Sequence, residues 1–241
     1  MSELNVVQQK VKKLIKEVDR ICTRRGISYS LGYGSVLGAV RHKGFIPWDS
    51  DIDILITLSE VNRFRDAMEK ELPNDMRILM WDKTENYHPC FDRIVYKDIS
   101  HFEIHIDVFP LCGLPDNIEE KKAFIKKCYK LYKILHCKHQ DIKYSHKKSR
   151  GMIIFFKALL FFVPDSMIKN YYKKMQTRYD LTNANEVFSI SSCYGAKDCT
   201  DKKLLTDTIR MPFEDLELPI PRDYDTYLTQ LYGDYMTPRK Y

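Results

Sequence analysis

Leu4, Val7, Val11, Leu14, Val18 and Ile21 recur at spacings of three and four. That is the period of a helix with one apolar face. Ser2 stands where an N-cap belongs and Gly26 where such a helix stops. Three heptads are the minimum for a coiled coil; packing against a globular core is the simpler reading. Ile27, Tyr29 and Leu31 then alternate with polar residues, as a strand does, before Gly32 and Gly34 interrupt the pattern. VLGAVRH has the length of a short helix, GFIPW of a loop stiffened by Pro47, and IDILIT of a strand. A helix is expected from Leu58 to Leu72, with Ser59 as its N-cap and Pro73 beyond its end.

Three further strands are expected, MRILMW (76–81), FDRIVYK (91–97) and FEIHIDVF (102–109). In the last, Phe102, Ile104, Ile106 and Val108 share one face, while Glu103, His105 and Asp107 share the other. The second half reads as mostly helical. A helix from Asn117 to about His139 carries Glu119 and Glu120 in its first turn and lysines towards its end. Asp165 and Asp223 are expected to cap two more, the second stopped by Gly233. The order predicts a mixed α/β sheet of modest size in one domain, 1–241, with a core over 1–115 and a mainly helical portion over 116–241.

The chain has 241 residues with 44% hydrophobic positions, enough for a sizeable core and too many for disorder. Its net charge of +6 is a modest excess. It suits a phosphorylated substrate or an anionic membrane surface, and with no basic-aromatic stripe it argues against nucleic-acid binding. Seven scattered cysteines without a CxxC pair read as reduced thiols. The N-terminus lacks the continuous apolar core of a secretory signal, so a cytoplasmic location is expected. MIIFFKALLFFV (152–163) is too short to span a bilayer and follows a basic stretch around 145–150. It reads either as a buried helix or as an interfacial helix touching lipid at the inner face of a membrane.

The candidate chemistry sits in PWDSDIDIL, which places Asp49, Asp51 and Asp53 at every second position. Residues i and i+2 on a strand point to one face, with Cα atoms roughly 6.5–7 Å apart. Asp51 and Asp53 can grip one divalent cation, and oxygen ligands alone suit Mg²⁺ or Mn²⁺ rather than zinc. Asp107 is a third candidate if its strand lies beside IDILIT. Three such carboxylates can hold two metals that clamp a phosphoryl group. A DxD pair by itself also fits a strand cap. Upstream, GYGSVLG puts Gly34 and Ser35 at a strand-to-helix turn, where backbone N–H groups can approach a phosphate. Arg41, His42 and Lys43 follow as cationic donors. Arg93, on a flanking strand, is a weaker candidate. Trp48 reads as a packing residue in preference to a base-stacking one. Turn, short helix, DxD strand and later Asp are together the plan of a nucleotidyltransferase fold.

GSVLGAVRHKGFIPWDSDIDI closely resembles the signature of the LicD family, relatives of fukutin. IHIDVFPL resembles the family's later strand with its third Asp, and PFEDLELPIPRDYDTYLTQLYGDYM its C-terminal segment. These anchors span nearly the whole chain in the family's order. Where the family has three consecutive aspartates after the Trp, Ser50 takes the middle place here.

The resemblance implies a nucleotidyltransferase-like core and transfer of a substituted phosphate, such as phosphocholine, from a CDP-activated alcohol. The acceptor would be a sugar hydroxyl of a glycan or lipid-linked sugar, and CMP would leave. By the same resemblance Asp51 and Asp53 are metal ligands, Asp107 a third ligand or general base, and Gly34 and Ser35 the phosphate-turn residues. Two other readings stand beside it: transfer of a nucleotide from a triphosphate, and a non-catalytic module of glycan assembly.

Overall fold

The computed structural model describes residues 4–101, 103–139 and 150–237. The first helix, α1 (Val6–Arg25), is capped by Asn5: its side chain accepts from the Gln8 backbone, and the Gln8 side chain accepts from the Asn5 N–H. This capping box, not Ser2, starts the helix; Ser2 lies outside the described residues. Gly26, in the left-handed region at φ 59°, ends it. The apolar stripe Val11, Leu14, Ile15, Val18 and Ile21 is fully buried, so α1 is a core helix.

The sheet runs β1 (Ser30–Leu31), β2 (Ile52–Thr57), β5 (His105–Gly113), β4 (Asp92–Tyr96), β3 (Met76–Leu79) in spatial order. β2 and β5 are parallel, while β1 with β2, β4 with β5 and β3 with β4 are antiparallel. β2 and β5 are mostly apolar and mostly buried because both faces of the sheet are covered. Between β1 and β2 lies α2 (Tyr33–His42), and between β2 and β3 lies α3 (Val61–Glu71). Ser59 does not cap α3. The N-cap is Glu60, and the Ser59 hydroxyl meets Thr57 Oγ1 instead at 3.1 Å.

The second half is rich in helix: α4 (Ile118–His139), α5 (Arg150–Leu160), α6 (Asp165–Gln176), α7 (Lys202–Thr206) and α8 (Tyr224–Tyr232). It also holds strands that the sequence pattern concealed. β6 (Glu186–Phe188) pairs with the far end of β5, and β7 (Thr200–Asp201) pairs with β6. β8 (Thr208–Phe213) and β9 (Leu216–Pro221) form a hairpin packed beside β1. Pro212, Pro219 and Pro221 hide that hairpin, since proline ordinarily argues against a strand.

Two helix expectations change. Asp165 is the first residue of α6, not its cap, and its carboxylate binds side chains from elsewhere. α5 is not buried: only Ile153 of it is, while Met152, Ile154, Phe155 and Leu159, with Phe161 and Phe162 after it, are exposed. The basic residues at 145–149 and Phe102 lie outside the described residues. Asp223 does cap α8, accepting from Thr226 N.

Candidate active site

β2 and β5 run in parallel with Asp53 directly opposite Asp107, and β4 places Arg93 opposite Asp107 from the other side. Three adjacent strands therefore bring Asp53, Asp107 and Arg93 to one face, as cross-strand partners. His105 shares that face, its Nε2 3.7 Å from Asp107 Oδ1. Arg93 holds both oxygens of Asp107, at 2.5 and 3.1 Å, and also donates to the carbonyl of His101 at 3.0 Å. Asp51 lies just before the ladder, which opens at Ile52.

The carboxylates crowd. Burial raises the Asp53 carboxyl well above its ordinary range, and repulsion from Asp107, Asp51 and Asp49 adds to it. Asp49 is pushed up to about 7, by burial first and then by Asp51. The Arg93 guanidinium opposes this at Asp53. Such a set must hold protons or a cation to be stable.

The glycine turn is tied to this strand at two points. Asp53 N–H donates to Ser35 Oγ at 2.9 Å, and Gly32 N–H donates to the Asp53 carbonyl at 2.9 Å. Accepting that bond leaves the Ser35 hydroxyl hydrogen free to donate. Gly34 is the second residue of α2, and a Cβ there would stand 3.2 Å from Asp49 Oδ2. The glycine lets the Asp49 carboxylate come up against the helix N-terminus.

Tyr33, the first residue of α2, has φ 46°. A bulky residue in the left-handed region is a backbone outlier that its surroundings must enforce. The Tyr33 N–H donates to Tyr227 Oη of α8 at 3.1 Å, and its ring stacks on Tyr194 with centroids 5.2 Å apart. The C-terminal segment thus fixes the turn.

The basic triplet divides. Arg41 donates to the Tyr235 carbonyl at 2.7 Å and to His42 Nε2 at 3.0 Å. Lys43 is the left-handed C-cap of α2, exposed, with its carbonyl accepting from Glu214 N at 2.7 Å. The described contacts bring neither His42 nor Lys43 to the carboxylates. Trp48 is not a core packing residue: it is 68% exposed, and its ring lies roughly perpendicular to that of His42, with centroids 6.4 Å apart.

A pocket of about 190 Å³ adjoins the turn, lined among others by Gly34, Arg41, Trp48, Asp49, Tyr194 and Tyr232. A larger cavity, about 840 Å³, lies around Thr57, Leu58 and Tyr179 and touches none of the four aspartates. Size alone points away from the chemistry. Asp49, Tyr33, Tyr227 and Tyr232 were not among the residues that the sequence assigned to the site. Asp49 carried a signal, the third member of the every-second-residue series, but these three tyrosines carried none.

This site and fold have counterparts. The family model described as "LicD/FKTN/FKRP, nucleotidyltransferase domain" matches residues 26–149, and the chain belongs to that family. Among its relatives is the lipopolysaccharide cholinephosphotransferase LicD of Haemophilus influenzae, 28% identical over 227 residues, 90% of this chain and 84% of the relative. The human ribitol 5-phosphate transferase FKRP is 36% identical over 87 residues, 35% of this chain and 17% of the relative. An uncharacterized protein of Rickettsia typhi is 38% identical over 56 residues, 23% of this chain and 18% of that protein. The chain is a phosphotransferase for substituted phosphate groups.

Proposed function

We propose that the chain moves phosphocholine, or a comparable phospho-alcohol, from a CDP-activated donor to a sugar hydroxyl of a glycan or lipid-linked sugar, with release of CMP. One observation carries this reading: Asp53 and Asp107 are cross-strand neighbours, and Ser35 of the glycine turn bonds the backbone of Asp53. A phosphate at the α2 N-terminus would lie next to the carboxylates.

The donor chemistry of the four aspartates suits a divalent cation, which would draw together oxygens that do not converge within 4.8 Å as they stand. They offer oxygen donors alone, which suits Mg²⁺ or Mn²⁺. The raised carboxyls of Asp49 and Asp53 register a repulsion that a cation relieves. Asp51 and Asp53 would hold it, with Asp107 or Asp49 completing the set. When bound, the cation neutralises diphosphate charge as a Lewis acid.

The acceptor oxygen attacks the phosphorus distal to the nucleoside. The new P–O bond forms as the bond to CMP breaks, CMP keeps that electron pair, and the hydroxyl proton passes to a carboxylate of the cluster. Asp107 was open between ligand and base. With both oxygens already taken by Arg93, it is better suited to the ligand role. Gly34 and Ser35 receive the diphosphate. Arg41 and the aromatic wall of the neighbouring pocket suit the remainder of the donor, which gives residues beyond 116 their substrate-side role. The helical α5 and the corner after it, exposing Phe155, Leu159, Phe161 and Phe162, suit peripheral contact with the bilayer carrying a lipid-linked acceptor. No single described helix is long and apolar enough to cross a membrane.

The test is product identity. The purified chain is incubated with Mg²⁺, a sugar acceptor and CDP-choline, CDP-ribitol or CDP-glycerol, and separately with nucleoside triphosphates. Release of CMP from one CDP-alcohol supports this reading. Pyrophosphate from a triphosphate supports nucleotide transfer instead.

A further inference from the structure

Three segments far apart in the chain converge behind the helical portion. His88 comes from the loop between β3 and β4, His139 from the last residue of α4, and Asp165 from the first residue of α6. His88 Nδ1 lies 3.1 Å from Asp165 Oδ2 and His139 Nε2 lies 3.3 Å from Asp165 Oδ1. The potential ligand atoms of all three lie within 4.8 Å of one another. Among the described residues this is the group of three that converges so closely, and it contains none of the four aspartates of the candidate active site.

The rings of His88 and His139 stack face to face, centroids 4.0 Å apart and planes 8° from parallel. A metal lies in the plane of each imidazole that binds it, so the exposed His88 ring must turn out of this stack to share an ion with His139. Two imidazoles and one carboxylate are a donor set for a borderline transition metal. Tetrahedral zinc with bonds of about 2.0–2.2 Å takes two His and one carboxylate readily, with a fourth position for water. Imidazole donors make the set unlike the all-oxygen one around Asp53. Lys138 Nζ also bonds Asp165 and donates to the Val163 carbonyl at 2.6 Å. A carboxylate has about four lone-pair sites, so one ammonium contact leaves room for a metal.

We propose that His88, His139 and Asp165 form a second metal site, selective for Zn²⁺ over Mg²⁺, which ties the α4 end and the α6 start to the β3–β4 loop. The site lies at the corner after α5, where the α5 and α6 axes turn by 98°. Its effect is to hold that corner in place. It is independent of the transfer reaction and stands or falls separately from it.

The experiment uses the full chain, stripped with chelator and desalted. Zn²⁺ and Mg²⁺ are titrated by calorimetry, Co²⁺ is titrated by visible absorption, and melting is followed with and without Zn²⁺. The expected result is one Zn²⁺ per chain, a tetrahedral Co²⁺ spectrum and a Zn²⁺-dependent rise in Tm. All three are expected to be lost in His88→Ala and kept in Asp51→Asn. His88 is a partly exposed loop residue, so the zinc-free melt of His88→Ala should match wild type; His88→Gln serves if it does not. Absence of saturable Zn²⁺ binding overturns the proposal. So does Zn²⁺ binding unchanged by the His88 substitution, which would place the ion on the thiols.

Discussion

Arg93 and Asp107 face each other across β4 and β5 in a two-point ion pair, at 2.5 and 3.1 Å, with both side chains about nine-tenths buried. The pair brings one fixed cation to a face that carries Asp53 beside it in register. Arg93 was a minor candidate from the sequence. In the fold it is the counter-charge of the cluster.

Removing that counter-charge exposes the demand for a cation. Arg93→Ala leaves Asp107 buried without its partner, and truncation of one member of a buried pair costs about 3–5 kcal/mol. The loss is expected to be larger in chelator than with Mg²⁺ or Mn²⁺, since a metal compensates the same charge. Thermal melts of wild type and variant under both conditions measure it. An equal loss in both would argue that no cation shares the cluster.

A second buried pair lies nearby with a different task. Arg65 binds both oxygens of Asp92 at 2.6 and 2.8 Å, and Asp92 also accepts from Trp81 N at 3.0 Å. This joins α3 to β4. Arg65→Ala should cost about 3–5 kcal/mol in denaturant titration regardless of metal. If a magnesium-dependent recovery appeared here too, the distinction between the pairs would fail.

Asp198, in the 3-10 turn Gly195–Asp198, is buried and pushed up to about 7 by desolvation, although it accepts from Ser189 N at 2.9 Å. A carboxyl whose folded value is raised favours the native state at pH below its unfolded value, near 3.8. That contribution is lost as pH rises towards 7. Asp198→Asn keeps an acceptor for Ser189 and removes the charge. Stability of the variant relative to wild type should therefore climb between about pH 4 and 7, by on the order of 4 kcal/mol at most. Urea melts across that range read it directly, and a flat difference would contradict the buried charge.

Trp48 has little to lose by truncation, since its ring is 68% exposed. Trp48→Ala should change stability by no more than about 0.5 kcal/mol. If the neighbouring pocket receives the donor, the variant should raise its KM with kcat nearly intact. A large drop in Tm with unchanged KM would make Trp48 a packing residue after all.

How much of this was readable beforehand follows from the range of each contact. The β2 strand was legible as IDILIT, and β5 in part, since it begins at His105 and runs on to Gly113; that Asp53 sits beside Asp107 was only a conditional expectation, because strand pairing is not a local signal. The cap at Asn5 was missed for want of one comparison, Asn5 with Gln8, three residues on. The Tyr227–Tyr33 bond could not be read, since it spans 194 residues and depends on a tyrosine held at positive φ. Apolar periodicity could not say whether α5 was buried, because it describes a face and not what covers it. The β8–β9 hairpin was obscured by its prolines, Pro212 on the exposed side of β8 and Pro219 and Pro221 in the buried run of β9.

The most direct test of the central claim is a thermal-shift comparison of wild type and Asp53→Asn with CDP-choline, CDP-ribitol and CDP-glycerol, each in Mg²⁺ and in chelator. A ligand at 100 times its Kd stabilises by about 2.7 kcal/mol, roughly 5–10 °C for a domain of this size. The account predicts such a shift for wild type with one CDP-alcohol, in Mg²⁺ only, and none for Asp53→Asn. A shift of the same size in chelator, or in the variant, would contradict it.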